Sequence, residues 1–360
     1  MAASPTNWLR VKLLGALALL AAALAYIGYR LATAPQWQQF HTERFWQSLT
    51  QARLSYLLLA AALIFSSYYL RSLRWQVFMQ PVKQARIGNL LVSTLVGFSA
   101  VALLGRPGEV VRPLLIARKE QVPIVSQLGA WTLERVFDSL TISALLGAAF
   151  LFFPPQFLSG STGAQLLTGL KMAGVLLWVG SFGTFAVLAL LRFRAALVWQ
   201  ALRWLLRPLP KRFQRWIQTA MEHFSAGIAS MGSAASLLAS LILSLLLWGA
   251  ILLAFWTILH APLWPIRWDW GAVVLVLGAS VAGSLASLPA VGGGTQVATL
   301  LVMTQLFAVP LDVATSLALL LWTWTFMLVL IPGIPLAARE GLGWKGLRNL
   351  ARMKWERESD

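Results

Sequence analysis

GRPGEVVRPLLIARKE, residues 105–120, holds four cations and two anions in a chain that is 58% hydrophobic and only 11% charged. The apolar run LLVSTLVGFSAVALL precedes it, and a second apolar stretch containing ERVFD follows. A charge at the middle of a bilayer costs about 2.5–3.5 kcal/mol on insertion scales, so charges placed between and inside such stretches need partners or water. The reading of this segment decides the fold. It is either a loop between two spans or part of a chain that enters the membrane and returns.

The composition bounds the class. A mean hydropathy of +0.72, with 18 Trp and 18 Phe, excludes a soluble domain. Apolar runs long enough to cross ~30 Å of hydrocarbon recur along the chain. The expected fold is therefore all-α, a polytopic membrane helical bundle. The chain contains no cysteine, which excludes disulfides and thiol chemistry. His41, His223 and His260 form no metal-ligand spacing. No Ser/His/Asp set and no phosphate-cradling loop with Lys is present, so neither a cofactor, a metal nor an enzymatic activity is expected. The formal net charge is +17. In a membrane chain this reads as positive-inside topology and contact with anionic lipid head groups, and not as nucleic-acid binding.

Full spans are expected near 12–31, 53–70, 122–152, 165–191, 233–259 and 312–337. The first reads as an uncleaved helix despite the small-residue ATA that follows it. PQWQQFHTERFWQSL carries aromatics at helical spacing and reads as interfacial. The connection 192–230 interleaves seven cations with Trp199, Trp204 and Trp216, the pattern of an amphipathic segment on an anionic leaflet. Shorter apolar pieces at 88–104, 272–290 and 296–309 remain. If 88–104 returns to the side it entered from, 23 of the 29 Lys and Arg fall on the cytoplasmic side. That asymmetry favours cytoplasmic termini, and the expected location is a bacterial inner membrane. Residues 1–340 then form one transmembrane domain, with re-entrant or broken segments near 88–119 and 272–309, and 341–360 form a basic tail. Broken helices at membrane depth survive only beside protein or water, so they point to a cavity.

The two halves also resemble each other. With Glu109 set on Gln296, EVVRPLLIARKEQVPI lies over QVATLLVMTQLFAVPL, and Val110, Leu114 and Pro123 meet Val297, Leu301 and Pro310. Gly108 precedes the polar residue in one half, and Gly292, Gly293 and Gly294 precede it in the other. The expected topology makes the two units inverted, with a substrate site where they meet.

GRPGEVVRPLLIARK, then LERVFD, then LPAVGGGTQV together resemble the lysylphosphatidylglycerol synthase transmembrane region, a flippase-like family, over roughly residues 10–340. The resemblance implies an integral membrane protein that handles lipid. In the bifunctional synthases this region is linked to moving the modified lipid between leaflets, while a soluble domain performs aminoacyl transfer. This sequence leaves no room for that domain, so the synthase activity is not expected. The late family motif commonly reads Pro-Gly-Gly followed by Glu. Here Val291 takes the Pro position and Gln296 the Glu position, which removes the second carboxylate of any two-carboxylate mechanism.

The candidate site follows. Arg106, Glu109 and Arg112 are spaced three apart, so if helical they share a face and leave net positive charge suited to a phosphate. The competing reading pairs Glu109 with Arg112 in a cytoplasmic turn. Glu134, Arg135 and Asp138 stand inside an apolar helix, either as a cavity wall or as an ion network reaching Arg71 or Arg74. Otherwise Arg71, Arg74 and Trp75 anchor a helix at the interface. Gly292, Gly293 and Gly294 offer backbone freedom or close approach, with Gln296 beside them. Asp312 reads as a helix cap, and Asp269 as part of a solvated loop. The expected partner is a membrane lipid with an anionic head group, either translocated or merely bound. The alternative is a scaffold for a lipid or envelope-glycan enzyme.

Overall fold

The computed structural model describes residues 40–152, 160–193, 200, 234–262, 268–284 and 293–341. The spans expected at 12–31 and the amphipathic connection expected at 192–230, apart from its first residues, lie outside them. Among the described residues all regular structure is helical. The order is α1 (Thr42–Thr50), α2 (Leu54–Met79), α3 (Ile87–Leu104), a 3₁₀ turn (Arg106–Val110), α4 (Val111–Glu120), α5 (Ile124–Leu151), α6 (Gly160–Phe193), α7 (Ala234–Leu259), α8 (Trp270–Ser284), α9 (Gly294–Leu306), α10 (Leu311–Trp322), a π-helical turn (Thr323–Met327) and α11 (Leu330–Arg339). α2, α3, α7 and the run from α10 through α11 are long and apolar enough to cross a membrane. α5 is 28 residues long but carries Glu134, Arg135 and Asp138.

α2 and α7 form the most extensive helix pair, and they run antiparallel. The Arg53 N–H donates to Ala261 O at 2.8 Å at one end, and the Ser236 hydroxyl donates to Gln80 Oε1 at 3.3 Å at the other. Small residues let the backbones approach. Ser236, Ser240 and Ser244 recur every four positions on the buried face of α7. Leu238, Ile242, Leu245 and Leu246 occupy its exposed face, as a lipid-facing surface requires.

Between α2 and α5 the chain folds as a hairpin. α3 stops at Gly105, whose φ of 68° is open to glycine. A Cβ on Gly108 would strike the Ala100 carbonyl, and one on Gly97 would strike Arg112, so the 3₁₀ turn and α4 lie tightly back along α3. The hairpin closes where it began: the Arg86 N–H and Asn89 Nδ2 both donate to Glu120 Oε1, at 3.3 and 2.7 Å. α8 and α9 form a second hairpin. A Cβ on Gly283 would strike the Gly294 carbonyl, and the Trp268 and Phe307 rings meet 5.7 Å apart at its base.

The first hairpin starts beyond the Gln80 end of α2 and the second beyond the Ala261 end of α7. The two therefore enter the bundle from opposite ends. Each is followed by a proline-initiated helix, α5 after Pro123 and α10 after Pro310. A long helix, a hairpin and a proline-initiated helix thus occur twice, in opposite senses.

Three boundaries differ from the sequence reading. The helix expected at 53–70 continues to Met79, because Arg71 and Arg74 have buried partners and do not end it. The helix expected at 312–337 contains the π-helical turn, where the Leu328 N–H donates to Thr323 O five residues back. The loop assigned to Asp269 is instead a helix start, since Asp269 Oδ1 accepts from the Ala272 N–H at 2.7 Å.

Candidate functional site

A cavity of about 410 Å³ opens where the two hairpins converge. Gly105, Arg106 and Glu109 of the first hairpin face Ser284 and Thr295 of the second across it. α2, α5 and α7 supply the wall between, and each grades from polar to apolar in the same direction. Arg71 gives way to Ile64 on α2, Asp138 to Ile142 on α5, and Trp248 to Phe255 on α7. The pairings along α2 and α7 set that direction, so the charged end lies toward the Gln80 end of the bundle and the apolar end toward Ala261. The π-helical turn brings Thr325, Phe326 and Met327 to the same cavity.

Behind the charged end lies an ion network. Glu134 is 1% exposed. It accepts from Arg112 Nη1 at 2.8 and 3.0 Å and from Arg74 Nη2 at 3.1 Å, with Arg71 Nη1 at 3.4 Å. Asp138 accepts from Arg74 Nη2 at 2.8 Å, Arg71 Nη1 at 3.1 Å and Trp248 Nε1 at 3.2 Å. Arg135 adds weaker pairs to both carboxylates, at 3.7 and 3.5 Å. Four guanidiniums thus serve two carboxylates and leave two positive charges in excess. Aromatic faces take part of the load: Arg112 Cζ stands 4.2 Å from the Trp75 ring centroid and Arg71 Cζ 5.1 Å from that of Phe98. Such contacts contribute about 0.5–2 kcal/mol each.

The expected site residues divide by position. Arg106, Glu109, Arg135 and Asp138 line the cavity. Arg112 and Glu134 stand behind it, buried in the network. Arg112 does not pair with Glu109. The first turn of α4 directs it across the hairpin to Glu134. Gly293 has a φ of 80° and open space where a Cβ would stand, so its need for glycine is conformational and not one of close approach. Gly294 begins α9, and Gln296 is half-buried on that helix. Thr295, between them, is the residue that reaches the cavity wall. Gly292 lies outside the described residues.

Of the two expectations for Arg71 and Arg74, the ion network with Glu134 and Asp138 holds and the interfacial anchor does not, since they are 7% and 0% exposed. Asp312 is not the N-cap residue of α10, which is Pro310, but it does satisfy a first-turn N–H. It is 1% exposed within the first turn of α10, where its Oδ1 accepts from the Val313 N–H. Sequence reasoning missed Trp248, Ser244 and the aromatic lining. Ser244 accepts from Arg74 Nη1 at 2.7 Å, and the four-residue serine spacing on α7 is the signal that marks its face.

These features define a class: a polytopic helical membrane protein with a cationic cavity between two hairpins. The chain matches the lysylphosphatidylglycerol synthase TM region over residues 8–333 and belongs to that family. It is a membrane protein of a family tied to lipid-related processes. Comparison with curated proteins gives no match, and comparison with solved structures gives none.

Proposed function

We propose that the cavity receives the head group of a phosphate-bearing membrane lipid and that the protein passes this lipid between leaflets, acting as a carrier and not as an enzyme. The observation that carries the reading is the convergence of two oppositely entering hairpins on one cavity whose charged end has a cationic excess. Arg71, Arg106 and Arg135 line that end and suit phosphate oxygens through charge-assisted hydrogen bonds. The apolar end suits the first carbons of the tails. Hairpins of opposite sense allow one to loosen while the other holds, the arrangement expected for alternating exposure of a central site. The cation distribution along the sequence favours cytoplasmic termini, and we place the protein in a bacterial inner membrane. A partner enzyme that makes or consumes the lipid fits the same setting.

Mass spectrometry of lipids that co-purify in mild detergent tests the proposal. Wild-type protein should enrich one class of phosphate-bearing lipid, and Arg106→Ala/Arg135→Ala should lose it while remaining folded. A lipid profile equal to that of the bulk membrane in both proteins would remove the carrier reading and leave a scaffold.

A further inference from the structure

Resting on the carrier reading, we infer that the π-helical turn and α11 form a hinged side door to the cavity, latched by the Lys119–Glu340 ion pair and opening toward the hydrocarbon of the membrane. A lipid whose head group sits in the cavity has to lead its tails out between helices, and this is the place where the wall is built to part.

The last span belongs to two different bodies. α10 packs on α1, α7 and α9, and its Val313, Leu317 and Leu321 are buried in the main core with Phe255 and Val273. α11 packs instead on α3, where Leu336 and Ala337 meet Val96, Val111 and Leu115 of the first hairpin. The Ser99 hydroxyl donates to Val329 O at 3.1 Å at the start of that contact. The change of neighbours falls at the π-helical turn.

The backbone there is suited to bend. The Leu328 N–H reaches five residues back to Thr323 O, whereas the Ile331 N–H reaches only three back to Leu328 O, at 3.2 Å. Pro332 and Pro335 have no N–H, so the Leu328 and Ile331 carbonyls lose their usual helical donor. Helices kink at prolines and at π-helical turns. The pivot is pinned to α2, since Trp324 Nε1 donates to Leu57 O at 2.9 Å.

The hinge is also the wall. Trp322, Thr325, Phe326, Met327 and Val329 line the cavity. Thr323 and Trp324 do not line it, yet they too are only half-buried. One turn of chain therefore separates the cavity from the exterior. Just beyond it Ile331 and Ile334 are 71% and 51% exposed, an apolar surface that suits lipid. At the far end of α11, Glu340 pairs with Lys119 of the first hairpin. A partly exposed ion pair contributes little, as a latch that opens requires. The hairpin itself is held to α5 by the buried Arg112–Glu134 pair, so α11 is the part that moves.

Cysteine labelling in proteoliposomes tests the door, because the chain has no native cysteine. Val281→Cys puts a thiol on the cavity wall, and Ser240→Cys puts one at a fully buried position off that wall as a control. Membrane-soluble pyrene maleimide is compared with a charged, membrane-impermeant maleimide. Glu340→Gln and Lys119→Gln should each speed the pyrene reaction at the Val281→Cys thiol by up to about fivefold, the factor such an ion pair contributes. Pro332→Ala, which restores an N–H for Leu328 O, should slow it severalfold. Ser240→Cys should stay unreactive throughout. Pyrene labelling at one rate in all backgrounds would overturn the door. Acceleration of the charged reagent alone would show an opening to water and overturn it too, and acceleration at Ser240→Cys would replace a hinge with general loosening. The readout needs no bound lipid. A rigid α11 would leave the carrier reading standing, whereas a bulk-like lipid profile would remove the carrier and leave the hinge.

Discussion

Gln121 and Ala308 both adopt left-handed backbone, with φ of 55° and 49°, and they stand 187 positions apart. The same spacing sets Glu109 on Gln296 and Pro123 on Pro310. Each ends the returning helix of a hairpin, and each is followed by a residue and then a proline that starts a long helix. A strained turn recurring in register in both halves is independent geometric support for an internal repeat.

Glycine at either turn should stabilise the protein. Left-handed backbone costs a residue with a Cβ about 1–2 kcal/mol, and glycine returns roughly 0.4–1 kcal/mol of that through the freedom of its unfolded chain. Gln121→Gly and Ala308→Gly should each raise stability by up to about 1 kcal/mol. Valine at the same positions should lower it. Thermal unfolding in detergent measures both effects, and equal losses from glycine and valine would contradict the turn assignment.

Stability should separate the network from the cavity wall. Glu134→Gln leaves four guanidiniums around one carboxylate in a buried site and should cost about 3–5 kcal/mol. Arg106 is exposed, and Arg135 has a side chain 45% exposed with long ion pairs. Exposed pairs contribute about 0–1 kcal/mol, so Arg106→Ala and Arg135→Ala should barely move the unfolding temperature. If Arg106→Ala unfolds the protein as readily as Glu134→Gln, then Arg106 is structural and the lipid-profile comparison loses its meaning.

The first hairpin should be intolerant of any Cβ at its contact glycines. Gly97→Ala presses on Arg112, and Gly108→Ala presses on backbone of α3. Overpacking of this kind costs about 1–3 kcal/mol, and more where the obstacle is backbone. Gly88 has open space around its Cβ position, so Gly88→Ala should be neutral or gain up to about 1 kcal/mol of helix propensity. Yields of monodisperse protein from the three variants give the order, with Gly108→Ala lowest.

Helix positions were legible where apolar runs meet proline or polar breaks. The spans expected at 122–152 and 233–259 correspond to Ile124–Leu151 and Ala234–Leu259. Local pattern failed where the compensating group is remote. The sequence reading admits a network of Arg71 with Glu134 and Asp138, yet it ends the helix at residue 70. A cation at the end of an apolar run looks like a boundary until its partners, more than 60 positions away, are placed. TWTFM contains no proline or glycine to announce a π-helical turn. The charges stood out against an apolar background, so Arg106, Glu109, Arg135 and Asp138, which line the cavity, were singled out. The division between cavity wall and buried support was not legible, because Arg112 takes its role from the hairpin that aims it at Glu134.

Opposite labelling of equivalent residues should expose the inverted arrangement in the membrane. The chain has no native cysteine, so single-cysteine variants report one position each. Gln80 and Gln121 are exposed at one end of the bundle, and Gln51 and Ala308 are exposed at the other. A membrane-impermeant maleimide applied to intact cells should label Gln51→Cys and Ala308→Cys, whereas Gln80→Cys and Gln121→Cys should react only after the membrane is opened. With the cytoplasmic termini proposed above, the Gln80 end faces inside, which sets the direction of the expected difference. Reversal of the two groups would overturn the orientation but keep the inverted pair. Labelling of Gln121→Cys and Ala308→Cys from the same side would remove the inverted pair itself, because two hairpins entering from one side cannot present their tips to a shared central cavity from opposite directions.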